Sequence, residues 1–141
     1  MQTLAHRFIR LIAGLHHLTG HKGRKPVRIG NGAANHLQLD IYGELLDAIY
    51  LAQKLSRPLA YDDWPVVREL VDDVCKVWCQ PDLSIWEVRG EKQNFLYSKI
   101  MCWVAVDRGL RLADKRSLPY PRRNKWLETR DAIYEEIQEK G

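Results

Sequence analysis

The sequence predicts an all-α fold, and three observations point there. Apolar residues recur at spacings of three and four in four long stretches. No stretch sustains the alternation of a half-buried strand. Prolines and acidic residues stand where helices of those lengths would begin and end.

The elements follow in order. Around Leu4 to Leu15 the spacing predicts a short, weak helical element. Thr19 to Asn35 is rich in Gly and basic residues and reads as non-helical. Leu39, Tyr42, Leu45, Leu46 and Ile49 form the stripe of a first long helix, and Pro58 marks the turn after it. Val67, Leu70, Val71, Val74 and Trp78 form the second stripe. Asp62 and Asp63 are placed to cap that helix, Pro65 is tolerated in its first turn, and Pro81 closes it.

Asp82 to Phe95 is again non-helical. Ile100, Trp103, Val104 and Leu110 mark the third helix, ended by Pro119 and Pro121. This helix also carries Val106 and Leu112 on other faces, a pattern that suits cover on several sides and a domain extending beyond these helices. Asn124 is a plausible cap for the fourth helix, striped by Trp126, Ile133, Tyr134 and Ile137. Successive helices are expected to form antiparallel pairs.

Composition narrows the function classes. The chain has 141 residues, 45% hydrophobic and 28% charged, which is ordinary globular make-up. No stretch approaches the roughly 18 consecutive apolar residues of a membrane span. The apolar run Phe8 to Leu15 is broken by Arg10 and has no small-residue cleavage site, so a cytoplasmic location is expected. Cys75, Cys79 and Cys102 are an odd set that makes no disulfide framework. Cys75 and Cys79 lack a partner at metal-ligand spacing and read as small hydrophobes on one helix face. No Gly-rich phosphate loop is present, and nothing calls for a metal or an organic cofactor.

Four collinear segments carry a resemblance. Lys25-Pro26-Val27-Arg28-Ile29-Gly30-Asn31-Gly32-Ala33-Ala34 resembles the RPVRIGNAAA stretch of glycoside hydrolase family 15, the glucoamylase and trehalase-like group. Gln38-Leu39-Asp40-Ile41-Tyr42-Gly43-Glu44 is similar to that family's QLDxYGE. Ser84-Ile85-Trp86-Glu87-Val88-Arg89 is similar to GIWExR. Tyr97-Ser98-Lys99 with Trp103-Val104-Ala105-Val106-Asp107-Arg108 is similar to YSKxMxWVALDR. The chain departs from the pattern at Lys25, Asn94 and Leu96.

The resemblance implies part of an (α/α)6 barrel, with residues 1–141 a partial catalytic domain lacking helices upstream and downstream. It implies inverting hydrolysis of α-glucosides or trehalose, with Glu87 as general acid. Trp86, Arg89, Arg28 and Asn31 are then candidate substrate-binding residues. It assigns the second carboxylate to no residue of this chain, so the isolated chain is expected to be inactive.

The residues around Glu87 fit that role. Ile85, Trp86 and Val88 offer apolar surface, which disfavours the charged carboxylate and keeps its proton available near neutral pH. Trp86 presents a flat face to a sugar ring, and Arg89 is assigned to substrate hydroxyls or another carboxylate. Asp40 and Glu44 read equally as pocket residues and as polar positions on a helix. Asp107, beside Arg108 and Arg111, reads as part of a helix ion-pair network.

Two other classes compete. A non-catalytic helical remnant would self-associate or dock a partner through uncovered apolar faces. A weak nucleic-acid binder would use the basic loop of His21, Lys22, Arg24, Lys25 and Arg28. Against the latter, no aromatic residues interleave these charges, and 18 acidic residues nearly offset 22 basic ones.

Overall fold

The computed structural model describes residues 13–15, 21–23, 27–29, 37–55, 58–83 and 91–140. The chain forms two compact units, residues 1–36 and 37–141.

In the first unit, β1 (Ala13–Leu15) pairs antiparallel with β2 (Val27–Ile29), Gly14 standing opposite Arg28. The helical reading of Leu4 to Leu15 is therefore corrected at Ala13–Leu15. Three paired residues are too few to display the two-residue period that would have marked a strand. Between the strands a 3-10 turn spans His21–Gly23, with Lys22 and Gly23 both left-handed at φ 56° and 73°.

The second unit is helical: α1 (Asp40–Leu55), α2 (Trp64–Val77), α3 (Leu96–Arg116) and α4 (Arg123–Lys140). All four expected long helices form. Leu39, Tyr42 and Leu46 of the first stripe and Val67, Leu70, Val71 and Val74 of the second are buried, while Leu45 is exposed. Leu110, Trp126 and Ile133 are buried from the third and fourth, but Ile100 and Tyr134 are exposed, and α3 buries Cys102, Ala105, Val106 and Leu112 instead of the face its stripe marked.

Two capping expectations are corrected. A 3-10 turn at Tyr61–Asp63 leads into α2, and Asp63, although at the N-cap, makes no side-chain cap bond. Its backbone is already helical at φ −83°, ψ −18°, whereas a capping side chain works best from an extended backbone. Helix α4 begins at Arg123, so Asn124 lies inside its first turn rather than before it.

Cross-helix contacts give the directions. Gly43 lies against Met101 and Asp47 pairs with Arg108, so α1 and α3 run parallel. Trp64 bonds Pro119, Val71 meets Gly109 and Lys99 bonds Trp78, so α2 runs antiparallel to α3. Trp126 bonds Asp72, which places α4 alongside α2, and Lys99 pairs with Glu136, which sets α4 antiparallel to α3. Consecutive helices thus alternate in direction, as antiparallel helix pairs require.

Helix α3 is packed by α1, α2 and α4 together. This packing buries Val106 and Leu112, while Ile100 stays exposed and Trp103 and Val104 half-buried. Trp64 and Trp126, both fully buried, meet edge to face with ring centroids 6.2 Å apart and anchor the layer between α2 and α4.

Cysteine chemistry follows from this packing. Cys102 is fully buried, its Sγ 3.9 Å from the Leu39 carbonyl, and burial pushes its pKa up to about 12. Cys79 is exposed and Cys75 half-buried. Because the thiolate is the nucleophile, iodoacetamide at pH 8 is expected to label Cys79 first and Cys102 only after unfolding. Peptide mass spectrometry reads the order, and equal labelling rates in the folded chain would refute it.

Candidate functional site

The sites expected from sequence fall unevenly on the structure. Trp86, Glu87, Arg89 and Asn31 lie outside the described residues, as does the side chain of Arg28, whose backbone belongs to β2. The described residues on either side, Asp82, Leu83 and 91–93, form a hydrogen-bonded frame.

That frame is hydrogen-bonded from both ends. Asp82 and Gln93 exchange two backbone bonds, N–H to carbonyl, each of 2.9 Å. The Leu83 N–H donates to the Leu37 carbonyl at 3.1 Å, tying the near end to the residues before α1. The Asp82 side chain is 1% exposed. Its Oδ2 accepts from the Leu39 N–H at 3.0 Å and from the Ser98 hydroxyl at 2.8 Å. One carboxylate oxygen therefore joins the residue before α1, the start of α3 and the chain at Asp82, just before residues 84–90. Buried carboxylates survive in proteins when they are bonded in this way.

The Tyr97-Ser98-Lys99 segment distributes its three side chains over four partners. The Tyr97 hydroxyl donates to Glu44 Oε1 on α1 at 3.2 Å, and Ser98 bonds Asp82. The buried Lys99 ammonium donates to the Trp78 carbonyl at 2.6 Å, lies 5.2 Å from the Trp78 ring centroid and stands 3.6 Å from Glu136. A cation at that point also meets the negative end of α2. The first turn of α3 is thus fixed against α1, α2 and α4.

Asp40 opens α1 beside this frame. It is 4% exposed, and its Oδ1 is buried with no hydrogen-bond partner among the described residues. Burial raises its pKa above the usual carboxylate value; its own backbone N–H lowers it, and the charges of Glu44 and Asp82 raise it further. Further along, Asp107 Oδ2 accepts from Arg108 and Arg111, each at 2.7 Å, while Arg108 also bonds Asp47 at 2.6 Å. The Asp107 cluster is the ion-pair network its sequence context suggested. Among the described residues no group of three His, Cys, Asp or Glu is arranged to hold a metal ion.

Sequence reasoning missed Asp82 and Ser98. Asp82 was legible only as the residue after Pro81 at the mouth of a non-helical stretch, and its partners are 43 and 16 residues away.

This helical frame of alternating direction meets a specific match. The family described as "Glycosyl hydrolases family 15" matches residues 9–141. The chain belongs to that family, and its helices are the antiparallel pairs of an (α/α)6 barrel segment. It is similar to the trehalase of Mycobacterium tuberculosis, 46% identical over 129 residues, which is 92% of this chain and 19% of the relative. The trehalase of Mycolicibacterium smegmatis is 53% identical over 100 residues, 71% of this chain and 15% of the relative. The trehalase of Thermoplasma acidophilum is 37% identical over 122 residues, covering 86% and 21%. The chain thus spans about a fifth or less of the length of these relatives. No solved structure matches it. Among the described residues no helix is long and apolar enough to cross a membrane.

Proposed function

We propose that residues 1–141 are the acid-bearing part of a family 15 catalytic domain that hydrolyses trehalose with inversion. The observation that carries this reading is a family match over residues 9–141, which include Glu87, with trehalases as the similar proteins. The location fitting this reading is the cytoplasm.

Glu87 donates its proton to the glycosidic oxygen as the bond from that oxygen to the anomeric carbon breaks. A second carboxylate takes a proton from water, which attacks the same carbon from the opposite face. Trp86 carries the sugar ring, and Arg89, Arg28 and Asn31 hold its hydroxyls. One α-linked ring is released inverted, as β-glucose. The other keeps its own anomeric centre untouched and leaves as α-glucose.

The test has two arms. The isolated chain is expected to show no trehalose turnover, since an acid without its base leaves water unactivated. Exchanging this segment into a trehalase should retain turnover, and proton NMR in the first minutes should show equal α- and β-glucose. Two equivalents of α-glucose would overturn inversion. A folded but inactive exchange enzyme would sink the reading.

A further inference from the structure

We propose that Asp82 is the positioning residue for Glu87, holding the acid-bearing stretch in register with the parallel pair α1 and α3. The proposal rests on the reading of Glu87 as the acid.

Three observations converge on Asp82. Its backbone closes the stretch on itself through the paired bonds with Gln93. Its side chain reaches out of that closure to Leu39, just before α1, and to Ser98 on α3. Both of those bonds fall on a single oxygen, Oδ2, in a residue 1% exposed. A bonding group with that geometry transmits the placement of two helices to one point of the chain.

Catalytic groups need their geometry to about 0.5 Å, and a misplacement of about 1 Å costs on the order of a hundredfold in rate. A stretch tied at its base by backbone bonds alone would keep its closure but lose its register against the helices. The Asp82 carboxylate supplies that register. Ser98 is its partner from α3, flanked by Tyr97 and Lys99, which fix the same turn to α1 and α2.

The variants Asp82→Ala, Asp82→Asn and Ser98→Ala separate positioning from bulk stability. In the 141-residue chain, Asp82→Ala should speed amide exchange at residues 84–90 about tenfold or more, with α2 and α4 unchanged. In the segment-exchanged trehalase it should lower kcat about a hundredfold with KM within about twofold. Asp82→Asn keeps an oxygen able to accept both bonds and should recover most of the loss. Should Asp82→Ala fail to fold, Ser98→Ala removes one donor only and should show the same kcat signature at about tenfold. Unchanged kcat, a loss carried in KM, or an Asn variant as poor as Ala would overturn the inference. A Glu87→Gln enzyme of full activity would instead sink the acid assignment itself.

Discussion

Replacing Gly43 with alanine is expected to destabilise the chain by about 2 kcal/mol or more, lowering its urea midpoint by about 1 M. A Cβ built at Gly43 lies 2.2 Å from the Met101 carbonyl oxygen, 2.7 Å from its carbon and 2.8 Å from its Cα. All three atoms are backbone, so no rotamer relieves the overlap, and α1 and α3 must part along their length. Overpacking of this kind costs about 1–3 kcal/mol and sometimes more. Alanine's better helix propensity returns about 1 kcal/mol of it.

Gly109 is the control. A Cβ there meets Val71 Cγ2 at 2.6 Å, a side chain rather than a backbone, and the smaller loss is expected at that position. If Gly43→Ala proved as stable as the parent chain, the close approach of α1 and α3 would not be what holds the unit together. The same variant reaches the site. Gly43 stands three residues after Asp40, and Met101 three after Ser98. Parting the helices there would pull apart the two donors that meet on Asp82.

This coupling shows which parts of the molecule the sequence could disclose. Helical period marks the buried stripe of α2, where Val67, Leu70, Val71 and Val74 bury as their spacing demands, but not that of α3, where Ile100 stays exposed because the neighbouring helices cover another face. Direction and partnership are decided between helices. Nothing local says that α1 lies parallel to α3 and touches it most extensively, with α2 between them in the chain. Gly43 was visible as a motif glycine, but its reason is a carbonyl 58 residues away. Asp82 was hidden likewise, since a lone Asp beside Pro81 has no local pattern. The Asp107 cluster was legible because Arg108 and Arg111 are its neighbours in sequence as well as in space. The short β1–β2 pair was missed because three residues carry no period. Glu87 stands apart from all of these, since only the collinear family motifs singled it out.

The largest effect on chemistry is expected at Glu87 itself. In the segment-exchanged trehalase, Glu87→Gln should lower kcat on trehalose by about 10²–10⁴-fold, the range a general acid contributes. Glutamine preserves shape and hydrogen bonding but has no proton to give. The leaving sugar oxygen must then depart as an alkoxide, which is the costly part of breaking a glycosidic bond. A substrate with a good leaving group removes that need. α-Glucosyl fluoride expels fluoride with little help from an acid, so the Gln variant should retain most of its rate on this substrate. The pH profile gives a second reading. The alkaline limb of kcat/KM for trehalose reports the protonation of the acid, and it should be absent in Glu87→Gln. Equal losses on trehalose and the fluoride would mean that Glu87 holds the sugar or the fold rather than delivering the proton. A selective loss on trehalose alone would tie the proton to Glu87, because geometry or binding defects would impair both substrates.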